Sequence, residues 1–104
     1  MSKIVITNER LIRIIGWAVD DEADDTGGGV WADIDGESYP ADRSPRPDVA
    51  AAFNKPAYEN AGFTICIPVS SLSTGTHYLS LKLLSKNRKY YYQTEPQVLE
   101  IPNR

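Results

Sequence analysis

Asp35-Gly36 stands between two alternating runs, "VWADI" and "ESYPA". A connection this short needs positive φ at both residues, and Asp-Gly tolerates that in a type I′ turn, so the segment reads as a β-hairpin. In the first arm Val30, Ala32 and Ile34 share one face, with Trp31 and Asp33 on the other. Pro40 confines the second arm to a sheet edge, because proline cannot donate to a ladder.

The same period of two recurs along the chain. In "GFTICIPV" Phe63, Ile65, Ile67 and Val69 point one way and Cys66 the other. In "THYLSLKLL" His77, Leu79, Leu81 and Leu83 oppose Tyr78, Ser80 and Lys82. "KIVITNE" is a first strand with a break at Asn8-Glu9, and "YYYQTEPQVLEI" is a last strand interrupted at Pro96. "LIRIIGWAVD" is ambiguous: Ile12 and Ile14 share one face, Ile15, Trp17 and Val19 the other. Either a β-bulge near Gly16 or a strand apolar on both faces accounts for it. Between these runs, "DDEADDTGGG" reads as a flexible loop, "NKPAYENA" as a turn-rich connection, "SSLSTG" as one helical turn with a glycine stop and "SKNRK" as a polar turn.

One stretch breaks the rhythm. In "RSPRPDVAAAF", Pro47 suits the first turn of a helix, where its missing N–H has no partner to lose. Asp48 favours the same turn electrostatically. Val49 and Phe53, four apart, share a face. A short helix near residues 47–53 is expected to cover a sheet edge, with Phe53 entering the core. Arg43 and Arg46 are expected outside, paired with carboxylates such as Asp42 or Asp48.

About seven strands, with turn signals roughly every ten residues and no long amphipathic helix, give an all-β chain and an antiparallel β-sandwich, with a small barrel as the alternative. The 104 residues fit a single domain, 1–104, and 41% hydrophobic residues can fill a two-layer core. The chain could equally be a piece of a larger protein.

Composition narrows the partners. A net charge of −3 argues against nucleic acid. No apolar run reaches the length of a membrane helix, so no membrane insertion is expected, and no signal peptide is visible before the first strand. One cysteine, Cys66, cannot form an internal disulfide or a cysteine-based zinc site. No cofactor is expected.

Three sets of residues carry possible chemistry. Asp20, Asp21, Glu22, Asp24 and Asp25 put five carboxylates in six positions. Asp20, Asp21, Asp24 and Asp25 are a calcium candidate, weighed against a solvated loop, because their spacing matches no EF-hand. "DIDG" opens like a calcium loop but lacks the later glutamate. Cys66 and His77 fall in strand phases that argue against a thiol–imidazole pair, and His77 reads as a hydrogen-bonded structural group. No pair of acids stands out for glycoside hydrolysis, which leaves a small hydrolase a distant third reading. The aromatics are the third set. Tyr90 and Tyr92 point to one side of a strand and Tyr91 to the other. Trp31, Tyr90, Tyr91 and Tyr92, with Arg43 and Arg46, are the candidate ligand-binding residues. They suit sugar rings or a protein partner, and cross-strand packing is the structural alternative.

The motifs "IIGWAVDD", "VWADIDGESYPA", "RPDVAAAF", "AGFTICIP" and "LSTGTHYLSL", in that order, resemble a bacterial immunoglobulin-like β-sandwich accessory domain. Such domains are appended to cell-envelope proteins, including polytopic membrane glycosyltransferases. The likeness runs from about Ile12 to Ile101. It implies an accessory module, not an enzyme, on the periplasmic or extracellular side of the envelope, and it brings no catalytic residue to this chain. Carbohydrate or protein binding is the expected role, and a structural spacer the alternative.

Overall fold

The computed structural model describes residues 2–7 and 10–102. Among them are nine strands: β1 (Ser2–Thr7), β2 (Leu11–Trp17), β3 (Gly29–Ile34), β4 (Glu37–Pro40), β5 (Asp42–Ser44), β6 (Gly62–Pro68), β7 (Gly75–Leu84), β8 (Tyr91–Gln93) and β9 (Gln97–Ile101). One α-helix, α1 (Pro47–Phe53), lies between β5 and β6. The strands form two antiparallel sheets, ordered β1-β2-β6-β5 and β4-β3-β7-β8, with β9 also paired to β7. The break expected at Asn8-Glu9 lies outside the described residues.

The alternating faces build one core between the sheets. Ile12 and Ile14 of β2 and Phe63, Ile65 and Ile67 of β6 pack in one cluster with inward residues of β3 and β7. Removing this much apolar surface from water is the main force holding the sheets together. The chain is therefore all-β and sandwich-like, with a single short α-helix among the described residues.

Nine strands replace the expected seven because the last run is split and because Asp42–Ser44, outside every expected strand, forms one of its own. After β4 the chain crosses at Ala41 to the other sheet, where β5 pairs with β6. The last run is split at Thr94, whose hydroxyl accepts the Leu81 N–H at 2.9 Å while its own N–H donates to the Leu81 carbonyl at 2.9 Å. Thr94 stands in for a strand residue there, and Glu95-Pro96 turns the chain into β9. Asp35 and Gly36 have φ of 54° and 81°, as a type I′ hairpin requires.

The ambiguity in β2 resolves without a bulge. Its register is continuous from Leu11 to Trp17 against both neighbours. The strand is apolar on both faces: Ile12 and Ile14 point inward, while Ile15 and Trp17 are half-buried on the outer side. Gly16 is needed for close approach, since a Cβ there would lie 1.9 Å from the Ser2 carbonyl oxygen. Gly16→Val is therefore expected to push β1 off the sheet, at a cost of about 1–3 kcal/mol. Amide exchange checks this: protection at Ile4 and Ile6 is lost while that of β6 and β7 persists. Equal protection of all three strands would contradict it.

The acidic stretch is not the open flexible loop expected. Asp20 and Asp25 form a bridge, with Asp20 N–H donating to the Asp25 carbonyl at 2.7 Å and Asp25 N–H returning to Asp20 at 3.1 Å. Gly27 and Gly28 pack against the end of β7, where a Cβ would come within 2.8 Å of the Leu84 carbonyl oxygen and 2.9 Å of that of Ser85. They serve close packing rather than mobility.

Candidate functional site

The sequence pattern of α1 explains one wall of a cleft. Pro47 occupies its first turn and Asp48 adds the expected acidic residue. The helix ends in a Schellman motif: Asn54 is left-handed (φ 52°), Lys55 N–H donates to the Ala50 carbonyl at 2.9 Å, and Asn54 N–H to that of Ala51 at 3.1 Å. Val49 is buried with Tyr58 and Ala61 in a small second core, against which Trp17, Val19 and Ala50 pack. This termination leaves Phe53 on the surface and sends Lys55 back across the helix end.

Phe53 is consequently not in the core. It is 48% exposed and meets two other rings edge-to-face, Trp17 and Tyr58, each with centroids 5.6 Å away. Together with Tyr92 these rings line a cleft of about 380 Å³, whose polar positions are Asp21 and Lys55. The Lys55 ammonium pairs with Asp24 and sits 5.6 Å from the centroid of the Tyr58 ring. The Asp21 carboxylate is exposed and makes no hydrogen bond or ion pair among the described residues. Val19 and Leu83 complete the apolar lining.

The expected binding residues are divided among different places. Tyr90 and Tyr92 do lie together, with centroids 5.5 Å apart, on the side of the acidic loop. The Tyr92 hydroxyl donates to Asp20 at 2.8 Å, and that of Tyr90 to Glu22 at 2.9 Å. Tyr91 faces the opposite way and meets Trp31 edge-to-face at 6.0 Å, on the outer side of the second sheet. Lys82 stands between them, 4.8 Å from the Tyr91 centroid and paired with Asp33 at 2.5 Å. Trp31 and Tyr91 thus form a shallow platform separate from the cleft, and of the four candidate aromatics only Tyr92 lines the cleft.

The two arginines differ. Arg46 makes the expected pair with Asp48, through two bonds of 2.9 and 2.8 Å. Arg43 does not pair with Asp42 or lie outside. It is half-buried, and its guanidinium donates to the Ala18 carbonyl at 2.8 Å and to those of Asn60 and Ala61 at 3.3 Å. It ties the end of β2 to the start of β6, reinforcing the backbone bond from the Ala18 N–H to the Ala61 carbonyl at 2.9 Å.

The calcium candidates do not converge. Among the described residues no group of three or more metal-binding side chains is assembled. Asp20 is 1% exposed and accepts from Tyr92 and from the Lys86 N–H at 2.9 Å. Burial is the largest single influence and raises its pKa, but the Lys86 N–H and the Tyr92 hydroxyl, together with the Ala23 and Glu22 N–H groups, outweigh it and hold the carboxyl below the usual carboxylate range. Asp24 is taken up by Lys55, and Asp25 by Lys86 and the Gly27 N–H.

His77 is buried, as its strand phase implied, with Nδ1 2.5 Å from Asp35 and Nε2 2.7 Å from the Ser73 carbonyl. Cys66 is exposed on the outer side of β6, in the other sheet, so the two are not a pair.

Trp17, Phe53, Tyr58 and Lys55 were not singled out as binding residues by the sequence, and Asp21 was named only as a calcium candidate. The available signal was the spacing of "AAAFNKPAYEN", which puts an aromatic at a helix end and another in the next turn. The chain matches no protein-family model, no curated protein and no solved structure.

Proposed function

We propose that this chain is a non-catalytic accessory module of immunoglobulin-like connectivity that binds carbohydrate in the cleft between Trp17, Phe53, Tyr58 and Tyr92. Strand order supports the connectivity: β1-β2-β6-β5 facing β4-β3-β7-β8 follows the A-B-E-D and C′-C-F-G arrangement, with the last strand divided at Thr94. The separation of Cys66 and His77 supports a role without covalent chemistry. A setting on the periplasmic or extracellular side of a bacterial envelope, beside a glycan-assembly enzyme, rests on the resemblance in motif order. Fractionation of cells producing the full-length protein tests that setting.

The cleft carries the binding reading. Sugar rings offer apolar C–H faces and hydroxyls, and aromatic walls with a few polar groups at the rim match both. Titration with a glycan panel, followed by tryptophan fluorescence in a Trp31→Phe background and by amide NMR, tests it. A sugar ligand is expected to perturb Trp17 and the residues around Phe53. Phe53→Ala is expected to weaken that ligand about tenfold while leaving melting nearly unchanged, since Phe53 is half exposed. No response to any sugar at millimolar concentration retires the carbohydrate reading.

A protein partner is the second reading, and one observation favours it. Ile4, Ile6 and Leu11 are exposed on the first sheet, at 66%, 46% and 37%. Three apolar side chains on adjoining strands form a patch that a partner protein could cover.

A further inference from the structure

The cleft has an electrostatic character that the carbohydrate reading alone does not use. Its aromatic walls meet edge-to-face, so neighbouring ring planes stand at 64° and 76°. Ring faces carry negative potential, and several of them around one space attract a cation. The protein already places one there: the Lys55 ammonium lies against the Tyr58 ring and is balanced by Asp24. That pairing holds Lys55 protonated and offsets its charge locally. Asp21 stands in the same lining as a second carboxylate acting on Lys55, so two carboxylates face one ammonium and the local charge is net negative. Asp20 and Glu22 lie on either side of it in the chain.

Resting on the carbohydrate reading, we propose that this cleft selects sugars that carry a protonated amine, such as a deacetylated hexosamine, over neutral or acidic sugars. The ammonium group sits between the Trp17 and Phe53 rings and the Asp21 carboxylate, while the sugar C–H face lies on the aromatic wall. An acidic sugar would bring its carboxylate beside Asp21 and lose affinity. An N-acetylated sugar keeps the stacking but has no charge to pair.

The test uses the whole protein at about pH 6, where an aliphatic amine is charged. Glucosamine, N-acetylglucosamine, glucuronic acid and tetramethylammonium chloride are titrated separately, with Trp17 fluorescence and amide shifts read for each. Glucosamine is expected to bind more tightly than N-acetylglucosamine, glucuronic acid not at all, and tetramethylammonium to shift the same resonances. Asp21→Asn is expected to weaken glucosamine about fivefold, the equivalent of one exposed cation interaction, and to leave N-acetylglucosamine unchanged. Glu37→Gln, which removes the same charge far away on β4, should change neither. Equal binding of glucosamine and N-acetylglucosamine, insensitive to Asp21→Asn, overturns the amine selectivity but leaves carbohydrate binding standing. Binding of tetramethylammonium without any sugar keeps the ammonium site and removes the carbohydrate reading. No binding of any of the four overturns both.

Discussion

Asp20→Ala is expected to be among the most destabilising single substitutions in this protein, costing about 2–5 kcal/mol. The carboxylate is buried, and it accepts hydrogen bonds from the Tyr92 hydroxyl at 2.8 Å and the Lys86 N–H at 2.9 Å. Its own main chain makes the bridge to Asp25. One side chain thus connects the acidic turn, the β7–β8 connection and β8. Alanine leaves two donors without an acceptor and opens a void beside them. A domain of this size has only about 5–15 kcal/mol of stability to lose. At about 4–8 °C per kcal/mol, the melting temperature should drop by roughly 10–30 °C.

The acid side of the stability curve gives a second check on the same residue. The folded pKa of Asp20 lies below its ordinary value of 3.8. A depressed carboxylate contributes stability that is present above the unfolded pKa and is lost as pH falls through the folded one. The wild type should therefore lose more stability on acidification below that value than Asp20→Asn does. Asn keeps one acceptor oxygen but does not titrate there. A melting temperature for Asp20→Ala within a few degrees of wild type would show that the acidic turn contributes little to the fold.

The sheets were legible because their signal is local and strong. Period-two alternation in β3, β6 and β7 gave the correct inward residues, including His77, since a strand side chain can face only two ways. Asp35-Gly36 named its own turn, and Pro47 and Asp48 marked the helix start. What was not legible depends on distant parts of the chain. Gly16 had to be glycine because of Ser2, which periodicity does not encode. Arg43 looked like a surface charge, yet carbonyls at Ala18, Asn60 and Ala61 claim it. The acidic turn resembled a solvated loop by composition, but Tyr92 and Lys86 arrive from the far end of the chain to satisfy Asp20. Phe53 shares a helix face with Val49, and yet the left-handed Asn54 ends the helix before that face reaches the core. The same long-range placement hid the cleft. Trp17, Phe53 and Tyr58 come from three separate segments, and their rings meet only once the helix has folded over the end of β2.

Protein stability should also fall on the alkaline side of neutrality, and His77 should be the cause. Both ring nitrogens face oxygen acceptors, the Ser73 carbonyl and the Asp35 carboxylate, so both are best satisfied when each carries a proton. The Ser73 carbonyl first, then Asp35 and more distantly Glu100, raise the pKa above its ordinary 6.5, with burial opposing them. For a raised histidine the contribution is complete below the unfolded pKa and is lost as pH climbs through the folded one. The window therefore opens near 6.5 and extends upward. The imidazolium joins the β3–β4 hairpin turn to the connection ahead of β7, so its loss loosens one end of the sandwich. Melting temperatures measured from about pH 5.5 to 9 should decline for wild type across that window, and His77→Leu should show a flatter profile. Asp35→Asn is the milder probe. Asparagine accepts the left-handed conformation that Asp35 holds in the turn, so the hairpin survives while the charge facing His77 is removed. Its decline should open at the same pH as in wild type but be smaller and finish at lower pH. Parallel profiles for all three proteins would mean that His77 holds its proton no more tightly in the folded protein than in the unfolded chain.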